Sequence, residues 1–141
     1  MNYEHLTFIR ENLDLSQREL ANKLDISKST YARWETGEKI IPLPHLINLC
    51  NLANTSLDYA LGLSEHKNKL NTPYIIDKIK IGNNLKRIRI INNLTQKEIA
   101  QLLNTTQSVI SSYESGKTLI QTSFLYEICI KYKFSTNIIF N

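Results

Sequence analysis

The side chains of this 141-residue chain that could do chemistry are hydrogen-bonding groups with no catalytic partner. Lys28, Ser29 and Arg33 fall within Ser16–Gly37, SQRELANKLDISKSTYARWETG. Gln107, Ser108 and Ser112 fall within Thr95–Gly116, TQKEIAQLLNTTQSVISSYESG. The two stretches align without a gap at an offset of 79 residues. Gln17 then pairs with Gln96, Glu19 with Glu98, Ala21 with Ala100, Glu35 with Glu114 and Gly37 with Gly116. No paired carboxylates, nucleophile beside a base, Gly-rich phosphate loop or Cys/His cluster accompanies them, so an enzyme is not expected. His5, His45 and His66 lack ligand spacing, so no metal and no cofactor is expected. Such a chain is built to bind.

The elements that must position these groups are helices. Leu6, Ile9 and Leu13 recur at helical spacing in a first helix. Ser16 with Glu19, and Thr95 with Glu98, form capping boxes that open a second. Leu20, Ala21 and Leu24 should face inward, with Ala21 and Ala100 small where a following helix packs close. Asp25 and Asn104 stand where a sharp turn demands a left-handed residue, which short polar side chains tolerate. Ser27 and Thr106 cap a short third helix over Lys28–Glu35 and Gln107–Glu114. Its inner side carries Tyr31 with Trp34, and Ile110 with Tyr113, which assigns these rings to the core rather than to base stacking. A fourth helix and a short fifth, capped by Ser56 and Ser135, complete each copy. The fold class is therefore all-α, with five helices in each of two tandem domains.

The domains are expected at 1–63 and 77–141, joined by an exposed linker over 64–76. Tyr74-Ile75-Ile76 is an apolar patch that either docks the domains or extends the next helix. Hydrophobic content of 42% and charged content of 21% are ordinary for a globular protein. Net charge is +4, unevenly spread. Residues 1–63 hold six Lys and Arg against eight Asp and Glu, or −2; residues 79–141 hold eight against three, or +5. Cys50 and Cys129 occupy matching apolar positions, as buried reduced thiols would. No apolar run or signal peptide points to a membrane, and a cytoplasmic location is expected.

The capped S-Q-x-E-L-A start, the turn and the S-x-S-x-x-x-x-W/Y-E-x-G run resemble the phage repressor/Cro-type, or XRE, helix-turn-helix family. The resemblance covers residues 4–63 and 82–141 and departs from the family only in lacking Gly at the inter-helix turn. It implies two lambda-repressor-like domains from a bacterial or phage source that bind double-stranded DNA, each third helix lying in the major groove. Carried over by position, Lys28, Ser29, Arg33, Gln107, Ser108 and Ser112 would face bases. Gln17 and Gln96 would anchor phosphates, with Lys39 and Lys117 adding phosphate contacts. Arg10 with Glu35, and Arg89 with Glu114, would form structural ion pairs.

Gln can pair twice with adenine, and Lys or Arg reads guanine, so the two third helices should read different half-sites. The implied activity is transcriptional regulation, as a repressor. The alternative is a protein-interaction module, antitoxin- or antirepressor-like, which the acidic balance of the first domain keeps open. The chain ends one residue past its last apolar position, so no sensor domain and no small-molecule ligand are expected. One chain supplying both DNA-reading heads and a homodimer presenting four are both open.

Overall fold

Side-chain caps open most of the helices. In a computed structural model describing residues 1–141, Ser16 Oγ accepts from the Glu19 N–H at 3.1 Å, and the Glu19 carboxylate accepts from the Ser16 N–H at 3.1 Å. Thr95 and Glu98 repeat both bonds at 3.0 Å. Such caps contribute about 1 kcal/mol each. Nine α-helices and one 3-10 helix result, with no strands.

The chain divides into two units, Met1–Tyr74 and Ile75–Asn141. The first contains α1 (Glu4–Asn12), α2 (Gln17–Lys23), α3 (Lys28–Thr36), α4 (Leu43–Ala53) and α5 (Leu57–Leu61). The second contains α6 (Lys78–Ile91), α7 (Gln96–Leu102), α8 (Gln107–Glu114) and α9 (Thr122–Tyr132). A 3-10 helix over Thr136–Ile139 closes it, where a fifth α-helix was expected.

The α2–α3 and α7–α8 turns pass through left-handed Asp25 (φ 58°) and Asn104 (φ 55°). Two further matched pairs take the same conformation: Asp14 with Asn93, and Asn54 with Lys133. Gly37 (φ 79°) and Gly116 (φ 78°) end the turn after the third helix. A Cβ on either would come within 2.6 Å of Tyr3 or Ile79, respectively, so the turn is pressed against the start of the domain's first helix.

Each core is made of the same positions. Leu6, Ile9, Leu20, Ala21, Tyr31, Trp34, Leu46, Leu49 and Cys50 are buried in the first unit. Their partners 79 residues on, Leu85, Ile88, Ile99, Ala100, Ile110, Tyr113, Leu125, Ile128 and Cys129, are buried in the second. Neither cysteine is in a disulfide, and burial pushes the Cys50 thiol up.

The expected linker is revised. Residues 64–74 belong to the first unit and lie along it. Asn51 donates through Nδ2 to the Tyr74 carbonyl (3.0 Å) and accepts from the Tyr74 N–H (2.8 Å). Asn54 Oδ1 accepts from the Leu70 N–H at 2.9 Å, and the Tyr74 hydroxyl accepts from the Leu57 N–H at 2.9 Å. A polar composition suggests a loose tether, but Asn51 on α4 and Asn54 at its end bind three of its backbone groups. Nor does the apolar patch extend the next helix: α6 begins at Lys78, where the Asp77 carboxylate accepts from the Lys80 N–H at 3.1 Å. Ile75 is 77% exposed.

Candidate nucleic-acid interface

An ion pair fixes the third helix of each domain against the first. Arg10 Nε lies 2.6 Å from Glu35 Oε1, and its Nη2 is 3.3 Å from Oε2. Arg89 meets Glu114 at 2.7 and 2.9 Å. The remaining Nη1 groups donate to Leu15 O (2.9 Å) and Leu94 O (2.8 Å), the residues just before each second helix. One guanidinium thus ties three segments together. Burial alone would push the Glu35 carboxyl up, but hydrogen bonds from Arg10 and Gln17 outweigh it and hold its pKa below the ordinary carboxylate value. The bond to Glu35 likewise raises the pKa of Arg10.

Gln17 and Gln96 have a second use. Gln17 Nε2 donates to Glu35 Oε2 at 2.8 Å, and Gln96 Nε2 donates to Glu114 Oε1 at 3.2 Å. Each amide nitrogen carries two hydrogens and each carbonyl oxygen accepts. One hydrogen braces the ion pair, leaving the other hydrogen and the oxygen for an outside partner. Both glutamines are half-buried.

With Tyr31 and Trp34 turned inward, α3 presents Lys28, Ser29 and Arg33 to solvent. With Ile110 and Tyr113 inward, α8 presents exposed Gln107 and Ser108 and half-buried Ser112. Lys39 and Lys117 are exposed just beyond these helices. Arg33 is not wholly free: its Nε lies 3.6 Å from Glu38 Oε1, in a surface pair that a ligand could displace at little cost.

Sequence reasoning missed several residues of this frame. Arg18 and Lys97, again 79 apart, are exposed basic side chains beside the two glutamines. Ser111 is exposed on α8, between Ser108 and Ser112. His5 and Asn84, also 79 apart, are buried and tie the first helix to the domain's last element. His5 Nδ1 donates to Tyr59 O at 2.5 Å, and Asn84 Nδ2 donates to Ile139 O at 3.0 Å. The offset was the available signal for His5 and for Arg18 with Lys97, but unlike residues at a pair hide it.

Two buried three-element frames, each holding an exposed polar helix that follows a capped helix and a tight turn, make a repeated helix-turn-helix. A Helix-turn-helix family profile matches residues 8–59, and a Helix-turn-helix domain profile matches residues 82–141. The chain is a tandem XRE-type helix-turn-helix protein. It is 37% identical over 65 residues to the Uncharacterized HTH-type transcriptional regulator YobD of Bacillus subtilis, covering 46% of this chain and 58% of that protein. It is 37% identical over 67 residues to the HTH-type transcriptional regulator AnsR of the same organism, covering 48% and 58%. It is also 34% identical over 55 residues to the Antitoxin PezA of Streptococcus pneumoniae, covering 39% and 35%. The chain spans roughly half the length of the two regulators and about a third of PezA. No helix of this tandem protein is long and apolar enough to cross a membrane.

Proposed function

We propose that this chain is a non-enzymatic transcriptional regulator of the cytoplasm that binds double-stranded DNA and reads two different half-sites. The observation that carries this reading is the contrast within each domain. The frame that holds the third helix, Arg10–Glu35–Gln17, recurs as Arg89–Glu114–Gln96, whereas the outward side of that helix changes from Lys28 and Arg33 to Gln107 and Ser112. Lys28 and Arg33 suit guanine O6 and N7, and Gln107 suits adenine N6 and N7. Ser29 and Ser108 contact bases beside them. Gln17, Gln96, Lys39 and Lys117 hold phosphates, joined by Arg18 and Lys97. Binding represses transcription by occupying the site.

Selection of bound duplexes from a randomised pool tests the reading on the full chain. Two unlike motifs should emerge, the one read by α3 richer in G·C. A single palindromic motif would overturn the two-half-site claim.

The similarity to an antitoxin and the −2 balance of residues 1–63 favour a second reading, in which one domain binds a protein. A salt titration separates the two. A regulator loses affinity steeply with a slope set by several phosphates, whereas an interaction module yields no DNA isotherm.

A further inference from the structure

The core of the first domain is complete before residue 64. Its last members are Tyr59, Ala60 and Leu61 on α5, and no side chain of residues 64–73 is buried. A row of separate polar clips holds the segment that follows. Glu65 Oε2 lies 3.3 Å from His5 Nε2, and Lys67 Nζ lies 5.4 Å from the centre of the Tyr59 ring. Further along come the bond from Leu70 to Asn54 and those joining Tyr74 to Asn51 and Leu57.

Each clip is weak alone. The Glu65 side chain is 78% exposed, so its pair with His5 is largely solvated. The hydrogen bonds exchange for bonds to water when the segment lifts away. A stretch held in this way opens locally while the core beneath it stays folded. The clips sit on α1, on α5, and on and just after α4, with none on α2 or α3. Opening therefore leaves the frame of Arg10, Glu35 and Gln17 in place.

The docked and lifted states differ in reach. With Tyr74 held, only Ile75–Asp77 separate it from Lys78, where α6 begins, a span of about 10 Å when stretched. With the segment lifted, residues 64–77 are released and stretch to roughly 45–50 Å. The gain, on the order of 35–40 Å, covers one turn of duplex, about 34 Å.

We propose that residues 64–74 form a detachable tether. Docked, it joins the two reading heads by a short connection; lifted, it lets them occupy half-sites about one duplex turn further apart. The tether rests on the reading of both domains as DNA-binding heads. Binding of the second head to a distant half-site drives the opening, since that complex forms only in the lifted state.

The test uses the full chain and two duplexes carrying the pair of half-sites returned by selection. The near form keeps the selected spacing, and the wide form has about ten base pairs inserted, one further turn. The wild type should bind both with two heads, the wide form about tenfold to a hundredfold more weakly. Asn51→Ile should narrow that gap by about tenfold, because two clips are already gone. Asn54→Gly, which keeps the left-handed backbone and removes the clip on Leu70, should narrow it by a smaller factor. Hydrogen exchange in each complex should find the Leu70 and Tyr74 amides protected on the near form and exposed on the wide form. The tether is overturned if the wide form binds no better than a duplex with one half-site, if those amides stay protected on it, or if both variants leave the gap unchanged. Absence of binding to either form would overturn the DNA-binding reading and the tether with it, whereas two-headed binding to the near form alone overturns only the tether.

Discussion

The two domains share the frame that holds the third helix and differ around it. Arg10 and Glu35 are repeated as Arg89 and Glu114, with the same third partner, Gln17 or Gln96. Around that frame the packing is not copied. Tyr31 and Trp34 become the smaller Ile110 and Tyr113, and a cavity in the second core is lined by these two with Leu85, Ile88, Ile99 and Ile128. His5 becomes Asn84 in fastening the first helix to the last element. Asn51 of α4 holds Tyr74, whereas the matching place in α9 carries the exposed Ile130. The repeated helix-turn-helix thus keeps the contacts that orient its third helix, while the packing around them differs.

The largest test removes that frame. Glu35→Ala strands the largely buried Arg10, and Glu114→Ala strands Arg89. Each should cost its own domain about 3–5 kcal/mol. Amide hydrogen exchange on the full chain, read separately for each domain, should show protection lost only where the carboxylate was removed. Equal loss in both domains would mean that the two are not energetically separate.

Next comes the reading face. Arg33→Ala and Gln107→Ala should each cost about 1–3 kcal/mol, and each only on the half-site its helix contacts. Binding to duplexes with one half-site scrambled at a time checks the assignment; unchanged affinity in both variants would remove it. Arg18→Ala and Lys97→Ala should instead weaken all sequences alike and lower the salt slope by about one.

The segment after α5 provides a smaller contrast. Asn51→Ile, which copies the residue at the matching place in α9, removes two hydrogen bonds to Tyr74. A loss of about 1–2 kcal/mol is expected. Limited proteolysis should then cut residues 64–74 faster while the rest of the chain stays intact.

Acid gives the gentlest probe. The Glu35 pKa is lowered in the folded state from its ordinary 4.5. Its contribution is therefore complete at neutral pH and is lost as pH falls below 4.5 towards the folded value. First-domain stability followed by hydrogen exchange should decline across that window, and Glu35→Ala should flatten the decline.

Much of this architecture is legible in the chain because it is local or repeated. Capping boxes, left-handed Asp25 and Asn104, helix periodicity and the offset of 79 residues each lie within a few neighbours or one alignment. The exposed residues of α3 and α8 follow from the same periodicity once Tyr31, Trp34, Ile110 and Tyr113 are turned inward. The inward bonds of Gln17 and Gln96 are not visible there, because first-turn polarity looks the same whether a side chain faces solvent or a carboxylate.

Tertiary structure alone decided the contacts between distant residues. His5 reaches Tyr59 across 54 positions, Asn84 reaches Ile139 across 55, and Asn51 reaches Tyr74 across 23. No period links such residues, and each polar side chain could equally be solvated. Only the packed fold brings a backbone group within its reach, turning an apparent linker into part of the first domain.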